Sequence, residues 1–260
     1  ALPELAGLLD QPNALLALEY AKAILALPSP LAMQTVPRRG SHAENSFDQP
    51  FTSASALRRE LKKGFTSRVA AYFPSSTPQA REVQPAGAFT DYDRYGDFVS
   101  LEGRLLTPEQ LRCLPAFTEG LENRWHRAFS PLSTYEEALA AVKTKRYAFS
   151  RLSRMGAYTV LQPSQDFFNE SYREGPQYGR ILAFNERGAA FLKEAKGTFP
   201  IITKPAQAKK ILSPLGQAQL TLDIRANDIQ ALCFRSASCR QGRRDYYTSP
   251  SYLSQADGEG

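Results

Sequence analysis

"PNALLALEYAKAILALPSPLAMQTVPRRG", residues 12–40, is the stretch on which the fold class turns. Pro12 stands where proline suits a helix start, and Leu15, Leu16, Ala23 and Ile24 fall largely on one helical face, which predicts a helix. "PLAMQTV" (30–36) then reads as a short buried strand ended by Pro37, and "RRGSHAENSFDQPF" (38–51) as a polar, punctuated loop. "TSASALRRELKKG" (52–64) predicts a second helix, with Ser or Thr at its start, Arg and Lys in its last turns and Gly64 as C-cap. Helix, strand, loop, helix is a piece of an α/β sheet domain, too small to be a whole one.

Beyond it the pattern changes. Pro74, Pro78 and Pro85 punctuate residues 74–90, where a linker is expected, and the chain then turns helical. Thr107 to Gln110 and Ser133 to Glu136 both read as capping boxes. "RILAF", "NERGAAFLKEAKG" and "FPIIT" fit either a small strand–helix–strand unit or helices with extended connectors. The tail after Phe234 is expected to be loose, and there is no internal repeat.

The 260 residues carry a net charge of +6, which suits an anionic partner without requiring one. The excess is concentrated: Glu122 to Arg154 holds seven Lys or Arg against three Glu. Cys113, Cys233 and Cys239 form no C-x-x-C pair, and His42 and His126 are the only histidines, so no zinc site is expected. The thiols read as incidental ones of a reducing compartment, and the protein as cytoplasmic. The most apolar run, Leu15 to Leu27, contains Glu19 and Lys22 and is too short to span a bilayer. The chain starts without methionine and runs almost at once into a helix, as a fragment of a longer protein would.

Two segments carry the chemistry. In "FTSASALR" (51–58), Ser53, Ser55 and Arg58 gather at a helix N-terminus, where unpaired N–H groups and the positive dipole end suit a phosphate. The same residues also fit a plain Ser N-cap with a solvated arginine. In "KTKRYAFSRLSRM" (143–155), read as one helix, Arg146, Tyr147, Ser150, Arg151 and Arg154 share an arc with Lys143. Ala148, Phe149, Leu152 and Met155 lie opposite, and Lys145 leans towards that apolar side. Solvated faces normally mix signs, whereas a face of cations with a ring suits an RNA backbone and a stacked base.

These segments, with "PNALLALEYAKAI", "PRRG", "EGLENRWHRAF", "GRILAFNERGAAFLK", "LDIRANDI" and "DYYTSPSY", run in order along roughly residues 11–250. In that order the chain resembles the bacterial tRNA(Met) cytidine acetate ligases, which are nucleotidyltransferase-like enzymes. The resemblance implies an α/β fold: the C-terminal part of a Rossmann-like nucleotidyltransferase domain over residues 1–75, then a mainly helical tRNA-binding domain over 76–260. It implies ATP, with Mg2+, activating acetate as acetyl-adenylate, and attack by the wobble cytidine N4 of elongator tRNA(Met) on the acetyl carbon. ATP contacts would fall on Asn13, Arg38 and Arg39, and on Ser53, Ser55 and Arg58 at the pyrophosphate side. The tRNA contacts would fall on Lys143, Lys145, Arg146, Tyr147, Arg151 and Arg154.

Two departures qualify the match. Where the family often has Tyr-His-Asp after its Arg-Gly loop, this chain has His42-Ala43-Glu44-Asn45. The family's H-x-G-H motif, whose histidines meet the ATP phosphates, is absent from the 260 residues, so no catalytic residue is assigned. The expectation is an enzyme lacking about 120–150 N-terminal residues, judged from what a doubly wound nucleotide domain needs. A noncatalytic RNA-binding protein and a small-molecule nucleotidyltransferase with a merely solvated basic helix stay open as other readings.

Overall fold

A computed structural model describes residues 12–28, 31–36, 52–63, 66–73, 90–195, 197 and 199–253. The chain divides into two compact units, Ala1–Arg59 and Glu60–Gly260.

In the first unit α1 spans Pro12–Ala26, starting at the expected proline. Its half-buried residues are Ala14, Ala17, Ala21 and Ile24, at helical spacing, while Leu15 and Leu16 are 45% and 52% exposed. The inward stripe is thus mostly alanine, not the leucines that the periodicity favoured. Nearly every position of this helix is apolar, so the pattern names no face. Leu31–Val36, expected as a buried strand, is exposed and unpaired with any described strand. A strand takes its hydrogen bonds from neighbours, and no hydrophobic run replaces them. Helix α2 (Ala54–Lys63) begins after Ser53, whose Oγ accepts the Ala56 N–H at 3.1 Å. The 38–51 loop, the linker over 74–89 and Gly64 lie outside the described residues.

The second unit is built mainly from helices. After the single turn α3 (Ser67–Ala70) come α4 (Tyr92–Leu105), α5 (Pro108–Arg112), α6 (Leu121–Phe129), α7 (Tyr135–Val142) and α8 (Phe149–Leu161). Helix α4 packs on α6, α7 and α8, and α6 packs on α7. Their common core holds Val99, Phe117, Trp125, Phe129, Leu139 and Leu152 among others. Trp125 stacks on Phe129 at 4.4 Å between centroids and meets Phe117 edge-on at 5.5 Å. The approach of α4 is close because Gly96 and Gly103 face its neighbours: a Cβ at either would come within 2.8 Å of Tyr135 Cβ or 2.9 Å of Phe129 Cγ. Helix α5 starts in the expected Thr107–Gln110 capping box. The second box lies one residue later than the sequence reading placed it, on Thr134 and Glu137.

Helix α9 (Gln165–Glu174) leads into short strands β1 (Gly179–Arg180) and β2 (Ala183–Phe184), then α10 (Glu186–Glu194) and β3 (Ile201–Ile202). Strand β3 pairs parallel with β1, so the strand–helix–strand alternative is the one adopted. The one-turn α11 (Ala208–Ile211) and the long α12 (Pro214–Leu232) follow, and Ile202, Ala208, Leu212 and Leu220 form a second small core. Residues 235–253, expected to be loose, are held. A short helix α13 (Arg244–Tyr247) puts the buried Asp245 carboxylate against Arg180, where it also accepts from Asn227 at 3.0 and 3.2 Å. Strand β4 (Ser251–Tyr252) pairs parallel with β2. Three of the quoted motifs therefore meet at the buried Asp245 carboxylate, a tertiary contact that no local pattern announces. No described helix is long and apolar enough to cross a membrane.

Candidate nucleic-acid interface

The basic segment folds differently from the single helix expected of it. Lys143 is already extended (ψ 134°) as the C-cap of α7, residues 143–148 are irregular, and α8 begins only at Phe149. Ala148 at the N-cap gives no side-chain hydrogen bond to the helix, so nothing in the local sequence marks this start. Leu152 and Met155 point inward as expected, and they are joined by Gly156 and Thr159 at helical spacing. The break reassigns the side chains before it. Tyr147, expected on the outer arc, is buried in the helical core, while Phe149, expected inside, is 56% exposed. Tyr147 is thereby unavailable as a stacking platform for a base.

The cations divide into two kinds. Arg151 is half-buried, and its Nη2 donates to the Ala116 carbonyl at 3.0 Å and the Thr118 hydroxyl at 2.9 Å. The loop it holds has three residues at positive φ, Ala116 (68°), Glu119 (62°) and Gly120 (81°). Arg151 is thus a clamp on that loop rather than an outward contact. Lys145 and Arg154 are exposed, with no hydrogen bond or ion pair among the described residues. Lys143 donates to the neighbouring Thr144 carbonyl. Arg146 pairs with Glu119 at 2.9 Å.

The fold adds two arginines that the sequence reading did not assign. Helix α6 buries Leu121, Trp125, Ala128 and Phe129 and leaves Asn123, Arg124 and Arg127 exposed. Arg124 donates from Nε to the Val142 carbonyl and from Nη2 to the Ala141 carbonyl, both at 2.8 Å, placing a cation at the negative end of α7. Arg127 has no partner among the described residues. Together with Arg146 these line a cleft of about 380 Å³ between the start of α6 and the 143–147 segment. The signal was present in "EGLENRWHRAF": Arg124 and Arg127 stand three apart, opposite the apolar positions of the helix.

In the first unit, Asn13 is exposed in the first turn of α1. Ser53 caps α2, and Ser55 and Arg58 are exposed on its first turns. The cap engages one of the N–H groups that an anion would use, while the Ser55 and Arg58 side chains face solvent. Arg38 and Arg39 lie outside the described residues, as does His42. No cluster of metal-ligating side chains occurs among the described residues.

The chain has relatives among known proteins. Curated proteins similar to it include the tRNA(Met) cytidine acetate ligases of Thermotoga petrophila, 30% identical over 94% of this chain, and of Leuconostoc citreum, 33% identical over 95%. The chain spans about 62% of the length of each. Among solved structures, Thermotoga maritima TmcAL bound with alpha-thio ATP superposes with a TM-score of 0.85, and the apo form with 0.87. Both are 28% identical over 95% of this chain, which covers 61% and 62% of theirs. The likeness carries the nucleotidyltransferase-like α/β fold to a chain whose described part is mostly helix. The family model described as HIGH Nucleotidyl Transferase matches residues 2–245, nearly the whole sequence, and the chain belongs to that family.

Proposed function

We propose that this chain is the nucleotide-domain remainder and tRNA-binding part of an enzyme that acetylates the wobble cytidine N4 of elongator tRNA(Met). The observation that carries the reading is the set of outward cations, Arg127, Lys145, Arg146 and Arg154, gathered on one unit of a chain similar along most of its length to tRNA(Met) cytidine acetate ligases. Those cations neutralise backbone phosphates and position the RNA; they carry no sequence information themselves. ATP, with Mg2+, supplies the activation: the acetate oxygen attacks the α-phosphorus and pyrophosphate leaves. The cytidine N4 then attacks the acetyl carbon, AMP leaves, and the amine gives up a proton. On this chain Ser55 and Arg58 would hold the departing phosphates by charge-assisted hydrogen bonds, with Asn13, Arg38 and Arg39 as the other nucleotide contacts. The work is alignment and charge neutralisation, with no side chain as nucleophile. The boundary between the two functions lies in residues 74–90, and the setting is the cytoplasm.

Because the 260 residues hold no H-x-G-H, this chain by itself is expected to bind tRNA without forming acetyl-adenylate. Filter binding of elongator tRNA(Met) across a salt series tests the first half. Acetate-dependent exchange of labelled pyrophosphate into ATP tests the second. No detectable tRNA binding at low salt would remove the reading, and clear exchange by this chain would show the active site to be misplaced.

A further inference from the structure

The cleft beside α6 contains three guanidiniums and one acid, Glu119. Each arginine is in a different state. Arg124 is fixed by the α7 carbonyls, Arg127 is unpartnered among the described residues, and Arg146 is engaged by Glu119 at 2.9 Å. Glu119 is itself positioned: its backbone is left-handed at φ 62°, and its second oxygen accepts from the buried Tyr147 hydroxyl at 3.4 Å. Left-handed backbone at a non-glycine residue costs free energy and persists only where its surroundings impose it. Here they hold a carboxylate between a basic cleft and solvent.

We propose that this cleft seats one RNA backbone phosphodiester, and that Glu119 occupies the phosphate's place on Arg146 in the free protein. The inference rests on the RNA-binding reading above. A carboxylate and a phosphodiester both offer two oxygens to a guanidinium fork, so they compete for the same donors. The Arg146–Glu119 pair is exposed, 69% and 43% by side chain, and such pairs are weak enough to exchange. Arg127 supplies the second, free cation, and Arg124 a third that is already oriented. When the phosphate enters, Arg146 turns from Glu119 to it. Glu119 keeps Tyr147 and remains a negative charge that shortens the residence of the RNA.

The test is equilibrium binding of fluorescently labelled tRNA to the 260-residue chain over a salt series, with melting curves for each variant. Glu119→Gln is expected to bind about two- to fivefold tighter, the range set by an exposed ion pair. Arg127→Ala is expected to bind about three- to tenfold weaker at low salt, with the slope of log affinity against log salt shallower by about one. If both variants bind as wild type while wild type binds tRNA, the cleft proposal is overturned and the RNA-binding reading stands. If wild type binds no tRNA at any salt concentration, both fall. Should Arg127→Ala fail to fold, the Glu119→Gln result decides alone. Inorganic phosphate at matched ionic strength is expected not to displace tRNA. Displacement from wild type but not from Arg127→Ala would make free phosphate the ligand and overturn the assignment to RNA.

Discussion

Arg151 on α8 reaches the carbonyl of Ala116, thirty-five residues earlier, at 3.0 Å, and so ties the longest basic stretch of the chain to the left-handed loop in front of α6. A cation that reads as an RNA contact in the sequence is a structural clamp in the fold. Its ring neighbour Tyr147, 5.2 Å from the guanidinium carbon, is part of the same tie.

Arg151→Ala is expected to lower stability by about 1–3 kcal/mol, since it removes a charged donor from a carbonyl and a hydroxyl. Urea denaturation measures this. An unchanged midpoint would return Arg151 to the outward set.

Lys145→Ala and Arg154→Ala should do the reverse. Both side chains are exposed and unpartnered among the described residues, so melting should be nearly unaffected. Each should weaken tRNA binding and reduce the salt slope by roughly one unit or less. Binding curves that coincide with wild type at every salt concentration would make these two a solvated face.

Gly96→Ala tests the close approach of α4. Alanine favours helices over glycine by roughly 1 kcal/mol, so an open site would be stabilised. Here the new methyl would stand 2.8 Å from Tyr135 Cβ, which no flexible side-chain end can relieve. A net loss of about 1–2 kcal/mol is expected from overpacking. Chemical denaturation gives the sign directly, and a gain would mean that α4 is free to shift.

Alkaline pH should loosen the helical core. Burial raises the phenols of Tyr95 and Tyr135 above their ordinary value of 10.0; the Tyr95 ring, 5.8 Å away, further opposes ionisation of Tyr135, and Tyr92 opposes that of both. A raised folded-state value means the folded protein holds the proton more tightly than the unfolded chain. The stability from these groups is therefore complete below pH 10 and declines as pH rises beyond it. Tyr135→Phe, which has no proton to lose, should show a shallower decline in denaturation midpoint between pH 9 and 11. Parallel declines would place the alkaline sensitivity elsewhere.

Much of the helical architecture was legible because it is locally coded. Thr107 with Gln110, Pro12 at a helix start, and Leu152 with Met155 on an inward face each speak through neighbours three or four residues away. The one-sign cluster between Lys143 and Arg154 was equally plain, because charge is a property of composition. What each cation does was not. The helical projection placed Tyr147 outside and Phe149 inside, because it carried α8 back through a segment that the fold breaks at an uncapped Ala148. Arg151 and Arg146 look alike in the sequence. They differ only in what lies opposite, the Ala116 carbonyl or the Glu119 carboxylate, each brought there by a loop some thirty residues away. The Arg180–Asp245 pair, joining motifs sixty-five residues apart, was invisible for the same reason. Local spacing sets which elements form and which faces are apolar; a polar side chain's partner is chosen by packing between distant elements, and only the tertiary structure decides it.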